Sequence, residues 1–162
     1  MHARFNRSCN YAAAPEEKPL FARDIVRELD AETPNAKERG VEFQINRALT
    51  YHPNITRKTW ETRIVWDPAL KSVAGQFRTK ICLIRLHPGL KLAHRFHYTE
   101  TFLHELAHAM QWYAYGKCDH GQTWYEMMHI LAMKPERLHN IPECKDKVEI
   151  IKVMKVADEF KL

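Results

Sequence analysis

The stretch from Thr99 to Tyr115, TETFLHELAHAMQWYAY, constrains the fold more than any other part of the chain. Leu103, Leu106, Ala107, Met110 and Ala114 recur at helical spacing, which predicts an amphipathic helix. Thr99 can cap its start, and Gly116 suits the left-handed residue that closes it. Such an apolar stripe has to be packed against a core, so this helix is expected to be central and rigid.

The same helix carries His104, Glu105 and His108. Positions i and i+4 lie on one face, one turn apart. Two imidazoles placed there can reach one ion at about 2.0–2.1 Å. Glu105 follows His104 at about 100° around the axis. It can stand beside the ion without binding it, where a carboxylate takes a proton from an activated water and returns it to a leaving amine. The plainer alternative is a helix whose histidines only cap or pack.

A third ligand decides what kind of site this is. Gln111 and Ala114 stand where the pattern HExxHxxGxxH would need Gly and His, so that pattern is excluded. Glu126, on the following predicted helix, is one candidate. His120 is the favoured one: it follows His108 after a loop containing Gly116, and a chain reversing there returns it over the first helix. Cys118 and Asp119 are neighbours able to ligate, although Asp119 suits a cap for the next helix. Three protein ligands leave a fourth position open, which is the mark of a catalytic site rather than a structural one. Tyr113, Tyr115 and Tyr125 are candidates by chemistry for stabilising an oxyanion. His94, His97, His129 and His139 are read as packing or surface residues.

Residues 1–18 read as a loose tail and 19–162 as one domain, with 140–162 the least defined part. LFARDIVRELDAE (20–32) has helical periodicity. Residues 37–51 fit helix or strand. WETRIVW (60–66) alternates as a strand, and AGQFRTKICLIRLHPG (74–89) reads as a second, longer strand, antiparallel to its neighbour. A second helix is expected over 123–133, and DKVEIIKVMKVADEF near the end fits helix or strand.

The net charge of +5 is unevenly spread. Between Arg57 and Arg95 nine Lys/Arg (Arg57, Lys58, Arg63, Lys71, Arg78, Lys80, Arg85, Lys91, Arg95) face two acids, Glu61 and Asp67, a local net of +7. Such a block is a candidate footprint for a phosphate backbone, or equally a solvated basic sheet face. The four cysteines, Cys9, Cys82, Cys118 and Cys144, form no CxxC pair. There is no signal-like apolar segment and no run of membrane-spanning length, so a cytoplasmic, reducing compartment without membrane partners is expected.

HELAHA followed by His120-Gly121-Gln122-Thr123-Trp124, with Met127 and Met128 beyond, resembles the SprT-like metalloprotease domain family, which includes bacterial SprT and the eukaryotic Spartan. Trp66, Leu70 and SVAGQFRTKICLIRLHP extend the resemblance upstream, over residues 20–133 in all. It implies a zincin-like α+β fold, with a small antiparallel sheet packed on helices and HExxH on the central one. It also implies Zn²⁺ held by His104, His108 and His120, with Glu105 as general base. For Spartan-like members it implies cleavage of DNA-associated or DNA-crosslinked proteins, placing the chain in the cytoplasm, at the nucleoid or in the nucleus. Many members carry a cysteine zinc ribbon, and this chain has no CxxC. DNA binding, if present, would then fall to basic residues in 57–95. The alternative is a zinc-stabilised DNA-binding or adaptor module without protease activity.

Overall fold

A computed structural model describes residues 18–131. The expected tail before Lys18 and the segment 140–162 lie outside the described residues. Strand β1 (Leu20–Phe21) leads directly into helix α1 (Ala22–Asp30). The Asp24 carboxylate accepts from the Phe21 N–H at 2.8 Å, which satisfies one of the donors left over at the helix start. Ala22, Ile25, Val26 and Leu29 form the buried face of α1, as their spacing predicts.

The ambiguous stretch 37–51 is helical. It forms α2 (Ala36–Arg39) and α3 (Val41–Leu49), separated by Gly40. The alternation in VEFQI was misleading, because Val41, Ile45, Ala48 and Leu49 share a helical face turned to the core. Asp30, at the far end of α1, accepts from the N–H groups of Val41 and Glu42 at 2.8 and 3.0 Å. That cap comes from eleven residues upstream, where no local pattern reveals it.

Both strand boundaries differ from expectation. Residues 56–60 are helix α4 (Thr56–Trp60), so Trp60 is not in the sheet, and β2 runs only from Arg63 to Trp66. The single long strand expected over 74–89 is a hairpin of β3 (Gly75–Arg78) and β4 (Leu83–Leu86). Its turn includes Cys82, which adopts φ 49°. A left-handed residue normally announces itself as Gly or Asn. Here it does not, and period-two alternation continues through the reversal.

The hairpin also determines the sheet. Strand order is β1-β2-β4-β3, with β1·β2 and β3·β4 antiparallel and β2·β4 parallel. The fold is α+β as expected, but the sheet is mixed rather than wholly antiparallel. Because β3 takes the outer edge and β4 folds back inside it, β4 runs alongside β2 in the same direction.

Helix α5 spans Arg95–Tyr115 and α6 spans Gln122–Ile130. α5 begins four residues before Thr99. His94 Nδ1 accepts from the Phe96 N–H at 3.1 Å and does the capping. Arg95 anchors the start to α1, donating to the carbonyls of Glu28 and Leu29 and pairing with Glu32 at 3.2 Å. From Thr101 to Gln111 every residue of α5 except His104 is buried. Phe102, Leu103, Leu106, Ala107 and Met110 pack with Ile84 and Leu86 of the sheet and with Trp124 and Met127 of α6. Burying a side chain such as Leu106 contributes about 1.5–3 kcal/mol. A helix enclosed to this degree normally excludes polar groups. Glu105, His108 and Gln111 are buried in it nonetheless, and that exception locates the site. No described helix is long and apolar enough to cross a membrane.

Candidate metal centre

α5 presents His104 and His108 with ring centroids 5.1 Å apart, as their spacing dictates. Gly116 then ends the helix at φ 68°, a conformation that L side chains rarely adopt. The chain reverses and carries His120 back over α5. The Nε2 atom of His120 lies 3.1 Å from Nε2 of His108 and 3.4 Å from Nε2 of His104. Among the described residues, these three form a group whose donor atoms all lie within 4.8 Å of one another.

Those separations suit an ion at the centre. Nitrogens in a tetrahedral shell at about 2.0–2.1 Å from a metal lie about 3.3 Å from one another. Three imidazoles are also a donor set that first-row divalent ions accept. The three residues can therefore hold a metal ion. His108 is buried, while His104 and His120 are half-buried, so the group opens on one side.

Trp124 backs the group. Its ring stacks on His108 at 5.6 Å and 21°, and meets His120 edge-on at 4.7 Å and His104 at 5.1 Å. It is fully buried, so it restricts the rotamers of all three imidazoles at once.

The returning loop is held by Gln111, a residue that sequence reasoning used only to exclude a motif. Its Nε2 donates to Asp119 Oδ1 and to Thr123 Oγ1, both at 2.7 Å, and its Oε1 accepts from the Asp119 N–H at 3.2 Å. Asp119 Oδ1 also accepts from the Gly121 N–H at 2.9 Å. This bond and the Gln111 donor hold the Asp119 carboxyl below the usual carboxylate range. The N-cap of α6 is Gly121, with no side-chain cap, so Asp119 tightens the loop instead of capping the helix as expected. The other alternative ligands do not join the three histidines. Glu126 accepts from the Tyr115 hydroxyl at 3.4 Å, and Cys118 is exposed, its thiol pushed up mainly by desolvation.

Glu105 sits beside the group, its Oε2 4.0 Å from His104 Nε2. Burial pushes its carboxyl up to about 8, opposed by a hydrogen bond from the Phe77 N–H of edge strand β3. Gly75 makes this approach possible. A Cβ there would lie 2.9 Å from Glu105 Cγ and 3.0 Å from Thr101 Cγ2. The Ala-Gly turn upstream of the helix is thus the surface against which Glu105 packs.

A family model for the SprT-like family matches residues 26–145. The chain belongs to the SprT-like family. The match runs from the middle of α1 through α6 and so includes every residue that shapes the histidine group. Comparisons with curated proteins and with solved structures returned no match. Membership indicates a metallopeptidase-type domain, and the three histidines of this SprT-like chain lie close enough together to hold a metal ion.

The three tyrosines fare differently. The Tyr113 hydroxyl lies 2.8 Å from Thr62 Oγ1, and burial pushes it up to about 12. Tyr115 is engaged with Glu126, and Tyr125 packs edge-on against Trp124 at 5.5 Å. The basic block is also thinner than its count suggests. Arg57 pairs with Glu61 at 3.2 Å, Arg85 Nε donates to Asp67 at 2.7 Å, Arg95 is bound to α1, and Lys91 lies 4.4 Å over the Trp66 ring. Lys58, Arg63, Lys71, Arg78 and Lys80 form no ion pair among the described residues.

Proposed function

We propose that this SprT-like chain is a zinc-dependent endopeptidase, with His104, His108 and His120 as ligands of Zn²⁺ and Glu105 as general base. The observation that carries the reading is the convergence of three imidazole Nε2 atoms beside a buried carboxylate on one rigid helix. When bound, the ion supplies Lewis acidity, lowering the pKa of a water and polarising a carbonyl. Glu105 takes the proton of the attacking water and gives it to the departing amine. The Phe77 N–H steadies the ionised form needed to take the proton.

Three histidine ligands without a fourth His, Cys, Asp or Glu among the described residues favour an open catalytic position over a structural staple. The substrates proposed are proteins bound or crosslinked to DNA, at the nucleoid or in the nucleus. Support for the DNA half comes from the cations of the 57–95 block that form no ion pair among the described residues and from the family resemblance.

The test is cleavage of a DNA-binding protein by the zinc-loaded chain, with and without single-stranded DNA, beside Glu105→Gln. The expected result is DNA-stimulated cleavage that Glu105→Gln abolishes while its zinc content stays the same. Equal cleavage by Glu105→Gln would refute the mechanism; cleavage indifferent to DNA would refute the substrate class alone.

A further inference from the structure

At the far end of α5 from its cap, a cavity of about 700 Å³ opens between α4, the start of β2, the β3–β4 turn and the last turn of the helix. Lys58, Arg63 and Lys80 line it, with Trp112 and Tyr113 in the wall. The one acid on its rim, Glu61, is already engaged by Arg57 at 3.2 Å and Arg23 at 3.9 Å. The three cations lining the cavity have no ion pair among the described residues. Arg63 Nε is buried without a hydrogen-bond partner, although a buried charged donor normally finds one.

Like charges do not converge on a cavity without cost. They repel one another, and Arg63 carries an unmet donor as well. An anion placed among them offsets the repulsion. Trp112 adds a flat, half-buried aromatic surface to the same wall. Cations plus an aromatic wall are what a nucleotide with an unstacked base requires: phosphate to the cations, base to the ring. The volume lies within the range of sites that hold ligands of that size. A duplex keeps its bases stacked inside and cannot present one to Trp112.

We infer that this cavity binds a nucleotide of single-stranded nucleic acid, its phosphate among Lys58, Arg63 and Lys80 and its base against Trp112. The inference rests on the reading that the basic block meets nucleic acid, and it narrows that reading to one place. Trp112 lies one helical turn beyond His108, about 6 Å along the axis. A strand held in the cavity therefore brings whatever protein is attached to it to the rim of the histidine group.

The experiment is titration of the zinc-loaded full chain with a fluorescein-labelled oligothymidylate at several salt concentrations. The readout is binding, independent of whether the chain cleaves protein. Lys58→Ala with Lys80→Ala should weaken binding at least tenfold and make the salt dependence shallower by about 0.7 per cation removed. Lys71→Ala with Arg78→Ala removes as many exposed charges from the same block outside the cavity, and should weaken binding less than threefold. Trp112→Leu should cost about tenfold and Trp112→Phe much less, since either aromatic ring stacks. Equal losses in the two double variants would overturn the cavity and leave the basic block standing. Thymidine monophosphate binding as tightly as the oligonucleotide would overturn the single strand as the source. No binding of the oligonucleotide to the unaltered chain would overturn this inference and the DNA half of the proposed function together.

Discussion

Replacing Gln111 by Leu tests whether the loop that delivers His120 is held by one side chain. The substitution puts an apolar group of similar size into a fully buried position, so core packing changes little. It deletes two donated bonds of 2.7 Å and one accepted bond of 3.2 Å. One of the three involves the Asp119 carboxylate, and such charge-assisted bonds contribute about 1.5–3 kcal/mol, with about 1 kcal/mol for each neutral one. Asp119 is exposed and regains water, so the net loss is about 2 kcal/mol rather than the sum. If that loss falls on the loop, it appears as zinc affinity weakened by roughly thirtyfold. The assay is competition against a zinc-binding dye, alongside thermal melts of the metal-free protein. Asp119→Ala should produce a similar weakening, and the double variant should lose less than the sum of the two. Zinc affinity within threefold of the unaltered chain, with only the melting temperature reduced, would refute the idea that Gln111 holds the metal-binding loop.

If Glu105 is the base proposed, Gly75→Ala should lower kcat tenfold or more at unchanged zinc content, because the new Cβ meets Glu105 Cγ at 2.9 Å and displaces that carboxylate. Trimming the opposing Thr101 to Ser in the same chain should restore part of the rate; kcat and bound zinc measured together decide it. His120→Ala should weaken zinc binding by about a hundredfold or more while the helical circular dichroism persists, since α5 is packed independently of the loop. For pH, the folded metal-free protein holds a proton on Glu105 up to about 8, whereas an unfolded carboxyl releases it near 4.5. The folded state thus binds more protons between these limits. Stability from this group is full below about 4.5 and is lost as pH rises through about 8, by on the order of a few kcal/mol. Urea melts from pH 5 to 8 should show that decline in the native sequence and a flatter profile in Glu105→Gln; parallel profiles would refute it.

The histidine group was legible because each of its constraints is local. Helical spacing pairs His104 with His108, Gly116 announces a reversal, and His120 follows within the length of one loop. α1 was legible for the same reason. Elements governed by distant partners were not. The cap on α3 comes from Asp30, and the turn between β3 and β4 is made by a cysteine in a conformation that its type does not advertise. The start of α5 was missed because histidine rarely serves as a cap, and Thr99 offered a more ordinary one. Gln111 was visible as a residue but not as a clasp, since its partners lie 8 and 12 residues on and meet it only after the loop folds back.

The contacts that gather the three imidazoles span at most 16 residues of chain. Those that place Glu105 come from β3, some thirty residues earlier, through an edge strand with one bonded neighbour. On the proposed mechanism, metal capture and proton transfer therefore depend on different cooperative units. The first belongs to a local unit of α5, the loop and α6, and the second to the weaker margin of the sheet. On warming, β3 should loosen before α5 unwinds. The protein would then pass through a state that keeps its ion and has lost its base, an inactive form from which cooling recovers activity without any metal being added back.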